Sequence, residues 1–172
     1  FAPASNLNEE LVQKYKSNIL ACTRQFAYST QNHNTIDIVL SLNGIPVVAL
    51  ELKNQLTGQS VDNAKRQYMY DRDEKEFCFR FNNRFLVYFC VDLYEVAMAT
   101  HLQGVGTYFL PFNQGSNGAG NVGDGGNPKC DDGYATSYLW ERVLSPEMLL
   151  SIFQRYISKQ TSESISLVNG RK

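Results

Sequence analysis

Cysteine, histidine and tryptophan are scarce: the 172 residues hold four, two and one of them. Cys22, Cys78, Cys90 and Cys130 stand at least twelve positions apart and form no CxxC pair. That excludes the common zinc frameworks and favours reduced thiols in a cytoplasmic protein over a disulfide scaffold. No apolar run approaches the roughly 20 residues that span a bilayer, and no secretory leader is expected. Charge of one sign is lacking too. Sixteen Lys and Arg face 17 Asp and Glu, a formal net charge of −1. No overall field gathers nucleic acid, so DNA, if it is the substrate, must meet a local patch or be delivered by a partner. The chain opens on Phe1 rather than Met, as a processed or excised piece would.

What is present is enough apolar material, 43% of residues, for one domain with a real core. Its organising stretch is IDIVLSLNGIPVVALELK, residues 36–53. Ile36, Ile38 and Leu40, then Val48, Leu50 and Leu52, recur with the period of two that marks strands packed on one face. Asn43-Gly44 between them suits a hairpin turn. Asp37, Glu51 and Lys53 interrupt the apolar pattern. Glu51 and Lys53, two apart, point to the same side.

The register of the hairpin decides whether these charges meet. A symmetric two-residue loop pairs Leu42 with Ile45 and drives Glu51 to the face opposite Asp37. A three-residue loop, Leu42-Asn43-Gly44, pairs Ser41 with Ile45 and sets Asp37 opposite Ala49, one diagonal step from Glu51. Because a slip of one residue exchanges the faces completely, the odd offset, or an equivalent bulge near Pro46, is expected. The other face then carries Ile36, Ile38, Leu40, Val48, Leu50 and Leu52. Two carboxylates side by side repel unless a cation bridges them. Two oxygen-bearing side chains that leave room for water and phosphate suit Mg²⁺, with the Leu52 carbonyl as a third ligand. Lys53 is then placed to orient or deprotonate an attacking water. A strand end with a surface salt bridge is the competing reading.

Asp37 followed fourteen residues later by Glu51-Leu52-Lys53 resembles the PD-(D/E)XK nuclease motif. The wording NGIPVVALELKNQLTGQSVDNAKRQYMYDRD, LVYFCVDLYEVAMAT, TYFLPFNQGSNGAGN and TSYLWERVL is similar to the N-terminal endonuclease domain of the restriction (R) subunit of type I restriction-modification enzymes. The likeness runs from about Leu7 to Ile157. It implies an α/β fold, a mixed sheet flanked by helices with a restriction-endonuclease-like core, over residues 1–158. It implies Mg²⁺-dependent cleavage of double-stranded DNA with Asp37, Glu51 and Lys53 as the catalytic set. It also implies methyltransferase and specificity subunits as partners, and a helicase-like motor beyond a linker at 159–172. No Walker A motif occurs here, so ATP belongs to that motor. A glutamine–tyrosine pair of the RecB-like branch is assigned to Gln67 and Tyr70, the first beside the lysine, the second toward the DNA backbone. The usual QxxxY spacing would put Asp71 in the tyrosine's place. A different RecB-like nuclease, or a catalytically silent DNA-docking module, are the other readings.

Around this motif, Asn8 caps a first helix whose Leu7, Leu11 and Tyr15 form a stripe expected against the sheet, with Glu10 as a weak extra acidic candidate. Residues 19–28 read as a strand beside that of Asp37, and His33 as a loop histidine. Ser60 caps a helix from Val61 to about Asp71, with Asn63, Gln67 and Tyr70 on one polar face. Lys65, Arg66, Arg72, Lys75, Arg80 and Arg84, interspersed with acids, read as a solvated surface with some phosphate contacts. FLVYFCV at 85–91 reads as a buried strand with 95–100 as its neighbour. Residues 113–133 form a long glycine-rich loop without GK[ST]. Trp140 is expected in the core, and a last helix is expected from Pro146 through Ile157.

Overall fold

The computed structural model describes residues 2–3, 5–131 and 133–158; the expected linker at 159–172 lies outside them. Among the described residues one six-stranded sheet forms in the order β1 to β6: β1 Leu20–Ala27, β2 Thr35–Leu42, β3 Ile45–Leu52, β4 Val87–Val91, β5 Val96–Ala99 and β6 Leu110–Pro111. β3 and β4 are parallel and every other pair is antiparallel. A parallel neighbour demands a crossover rather than a hairpin. The crossover carries helix α2, Val61–Tyr70; α1 is Glu9–Lys16 and α3 is Pro146–Arg155. The expected mixed sheet with helices is therefore present.

Each face of the sheet has its own core. Val61, Ala64 and Tyr68 of α2 pack with Val39, Ala49, Tyr88 and Cys90. On the other face Val48, Leu50, Phe89 and Val91 meet Leu139, in a single π-helical turn (Leu139–Val143), and Leu149 of α3.

The hairpin reaches the expected parity through a bulge near Pro46 rather than through the three-residue loop. Its loop has two residues, Asn43 and Gly44, both at positive φ (52° and 82°), as a type I′ turn requires. Leu42 pairs with Ile45 and Ser41 with Pro46; the ladder then shifts, so that Leu40 faces Val48 and Val39 faces Ala49. Val47 is the extra residue, a bulge beside Pro46. The slack sits there because Asn-Gly already satisfies the tight turn. The ladder ends at Ile38 and Leu50, and Ile36 joins the α2-side core instead of the face shared by Ile38 and Leu40.

Three other expectations are corrected. α1 buries none of its residues, and Leu7 is 93% exposed. The chain after it is tied to the hairpin turn instead, through Asn18 and Asn43 (3.0 Å) and the Ile19 N–H to Asn43 Oδ1 (2.8 Å). Glu10 pairs with Lys14 at 2.7 Å on that exposed helix. Trp140 is 45% exposed and packs edge-on against Tyr134. α3 stops at Arg155, and Tyr156 and Ile157 are exposed.

Candidate active site

Where β2 and β3 part, backbone pairing gives way to side chains. Asp37 Oδ2 accepts the Leu52 N–H at 2.8 Å, and Oδ1 accepts from Gln25 Nε2 at 3.3 Å. Gln25 is itself held at φ 50° and also accepts from Thr35 Oγ1. The register that pairs Val39 with Ala49 carries Asp37 toward Glu51, and Asp37 is close enough to act on the charge of Glu51.

Glu51 lies opposite Cys90 in the parallel ladder and is 0% exposed. Burial pushes its carboxyl up to about 7; Arg72 and Lys53 pull it down, and Asp37 raises it further. Its Oε1 accepts from Arg72 Nη2 at 2.6 Å and Nε at 3.2 Å. Its Oε2 is buried and has no hydrogen-bond partner.

Two residues on, the Lys53 N–H donates to the Val91 carbonyl at 2.8 Å, which carries the β3–β4 pairing past Glu51. Lys53 Nζ donates to Gln67 Oε1 at 2.6 Å. A cleft of about 330 Å³ opens here, lined by Lys53, Gln59, Asn63, Arg66, Gln67, Tyr70 and Asp71. The two tyrosines diverge. Tyr70 is 65% exposed at the cleft, whereas Tyr68 is fully buried with an unpartnered hydroxyl whose pKa is raised by burial and then by Glu51.

The other end of α2 is pinned by Asp92. Its Oδ2 accepts from the Val61 N–H and Gln55 Nε2, both at 3.0 Å, and its Oδ1 from the N–H groups of Tyr94 and Glu95, both at 2.8 Å. Burial works to raise the Asp92 pKa, but these bonds outweigh it and the value is lowered. Ser60 precedes the helix, its N–H on Asn63 Oδ1 at 2.9 Å.

No group of three His, Cys, Asp or Glu side chains that could hold a metal occurs among the described residues. The donor chemistry of two carboxylates, one with an orphaned oxygen, suits Mg²⁺, which retains several waters. Arg72 is the residue that sequence reasoning misplaced. It stands among the mixed charges taken for a solvated face, yet it is 4% exposed and bonded to Glu51.

Among the described residues, no helix is long and apolar enough to cross a membrane. The sequence model of the family described as "Type I restriction enzyme R protein N terminus (HSDR_N)" matches residues 8–116. No curated protein and no solved structure gives a match.

Proposed function

This chain belongs to the family of type I restriction enzyme R protein N-termini, and from that premise we propose that it is a Mg²⁺-dependent DNA endonuclease domain with a PD-(D/E)XK core. The observation that carries the proposal is the convergence of Asp37, Glu51 and Lys53 at the parting of β2 and β3, with Lys53 Nζ held by Gln67 at 2.6 Å. Asp37, Glu51 and the Leu52 carbonyl would hold the ion. Bound Mg²⁺ supplies Lewis-acid stabilisation of negative charge on the scissile phosphate. Lys53, steered by Gln67, orients the attacking water and offsets phosphate charge. The water oxygen bonds to phosphorus as the bond to the leaving sugar oxygen breaks, and the water's proton passes to solvent or to the leaving group. Tyr70 and Arg66, which line the cleft, meet the DNA backbone without reading sequence.

A chain of net charge −1 is poorly suited to capturing DNA by itself. This favours a nuclease supplied with DNA by ATP-driven motor domains; the family membership is the ground for proposing a cytoplasmic assembly with methyltransferase and specificity subunits. The test is plasmid nicking by the assembled enzyme. Asp37→Asn and Lys53→Met should each cut Mg²⁺-dependent nicking by about a hundredfold or more while leaving ATP hydrolysis intact. Nicking at the wild-type rate in both variants would refute the proposal.

A further inference from the structure

An arginine as buried as Arg72 is costly unless its donors are satisfied. Arg72 follows Asp71, the C-cap of α2, and reaches three strands or strand ends at once. Nε and Nη2 donate to Glu51 Oε1, Nη2 also to the Thr35 carbonyl at 2.8 Å, and Nη1 to the Tyr28 hydroxyl at 3.4 Å. The guanidinium carbon lies 5.2 Å from the centroid of the Tyr28 ring. The fork geometry of arginine usually engages both oxygens of a carboxylate, one nitrogen to each. Here both donors converge on one oxygen.

Glu51 Oε2 is left buried and unbonded. Leaving a buried acceptor unsatisfied costs about 1–3 kcal/mol; it is tolerated where a ligand supplies the missing partner. The Tyr68 hydroxyl is the other buried side-chain atom without a partner among the described residues.

Taking Asp37 and Glu51 as ligands of a divalent cation, as proposed above, we infer that Arg72 is a positioning residue that anchors Glu51 Oε1 and so presents Oε2 to the metal. Arg72 acts through Glu51 and touches neither substrate nor ion. The opposite role is physically available, because a guanidinium is also a positive charge that repels a cation and competes for its ligand. The two roles differ in the sign of the effect on metal affinity.

Titration of the full chain with Mn²⁺ alone, followed by calorimetry, reads that sign. Arg72→Lys keeps the charge and removes the fork, since one ammonium cannot hold Glu51, Thr35 and Tyr28 together. Arg72→Met removes both. Loss of such an outer partner should weaken Mn²⁺ binding about tenfold or more in Arg72→Met, with Arg72→Lys recovering part of it yet remaining weaker than wild type. Where Arg72→Met fails to fold, the Arg72→Lys deficit alone carries the expectation. Mn²⁺ affinity equal to or tighter than wild type in Arg72→Lys overturns the inference, as does a lowered melting temperature with unchanged affinity. An Asp37→Asn control, expected to lose binding, separates the two levels. If the wild-type chain takes up no Mn²⁺ that depends on Asp37, the metal-dependent reading itself falls, and the role of Arg72 falls with it.

Discussion

The buried carboxyl of Glu51 makes stability fall as pH rises, the reverse of what surface acids do. Its pKa moves from 4.5 in the unfolded chain to about 7 in the folded one. Between those values the folded state binds the proton that the unfolded state has already released. Unfolding free energy therefore declines across that window. The stabilisation is complete below the unfolded value and is lost as pH passes the folded one. The shift spans about 2.5 pH units, and each unit corresponds to about 1.4 kcal/mol, so about 3 kcal/mol is at stake. Glu51→Gln isolates it. Glutamine keeps the shape, still offers Arg72 an oxygen, and does not titrate, while every other group is shared.

Denaturant unfolding of both proteins from pH 5 to 8, in metal-free buffer, measures the difference directly. Wild type should lose about 3 kcal/mol relative to Glu51→Gln as pH rises through this range. A flat difference would refute the reasoning. It would mean that Arg72, at 2.6 Å, overcomes burial and keeps the carboxylate ionised throughout.

Two other expectations concern the ends of α2. Asp92→Ala strands four N–H donors, including the buried Val61 group at the start of the helix, and should cost about 3 kcal/mol in denaturant unfolding. Because the folded pKa of Asp92 is lowered below 3.8, the deficit should be full at neutral pH and shrink as the medium is acidified through that range. Gln67→Ala releases Lys53 from its 2.6 Å partner and should reduce nicking roughly ten- to hundredfold; it should leave Mn²⁺ affinity, measured by calorimetry, near wild type, because Gln67 bonds the lysine and neither proposed ligand.

The hairpin shows what a sequence states and what it leaves open. Burying Glu51 and Asp37 on opposite faces would strand two charges, so the parity of the register is constrained by chemistry. Where the extra residue goes is not, since a longer loop and a bulge at Val47 give the same parity. The role of Arg72 was beyond reach for a related reason. In a run of interspersed charges, only the fold decides which cation turns inward. Arg72 does so because the chain leaving α2 passes over the ends of β1, β2 and β3. The stripe of α1 misled in the other direction. Apolar spacing states that a helix has a face to cover, not that the sheet offers one nearby, and β1 at the sheet edge is largely exposed.

Topology explains why one helix controls the whole centre. The parallel pairing of β3 with β4 obliges the chain to leave the end of β3 and return across the sheet. The crossover therefore begins at Lys53, and the helix within it covers the strand that carries Glu51. Gln67 in its last turn reaches Lys53, and Arg72 just beyond reaches Glu51, while Asp92 at the end of β4 fixes its first residue. An α-helix advances about 1.5 Å per residue with little freedom, so anchoring Val61 also sets the position of Gln67 and the point from which the chain runs on to Arg72. Asp37 alone depends on other supports, the Leu52 N–H and Gln25. The two carboxylates are thus held by separate devices, one from the hairpin and one from the crossover.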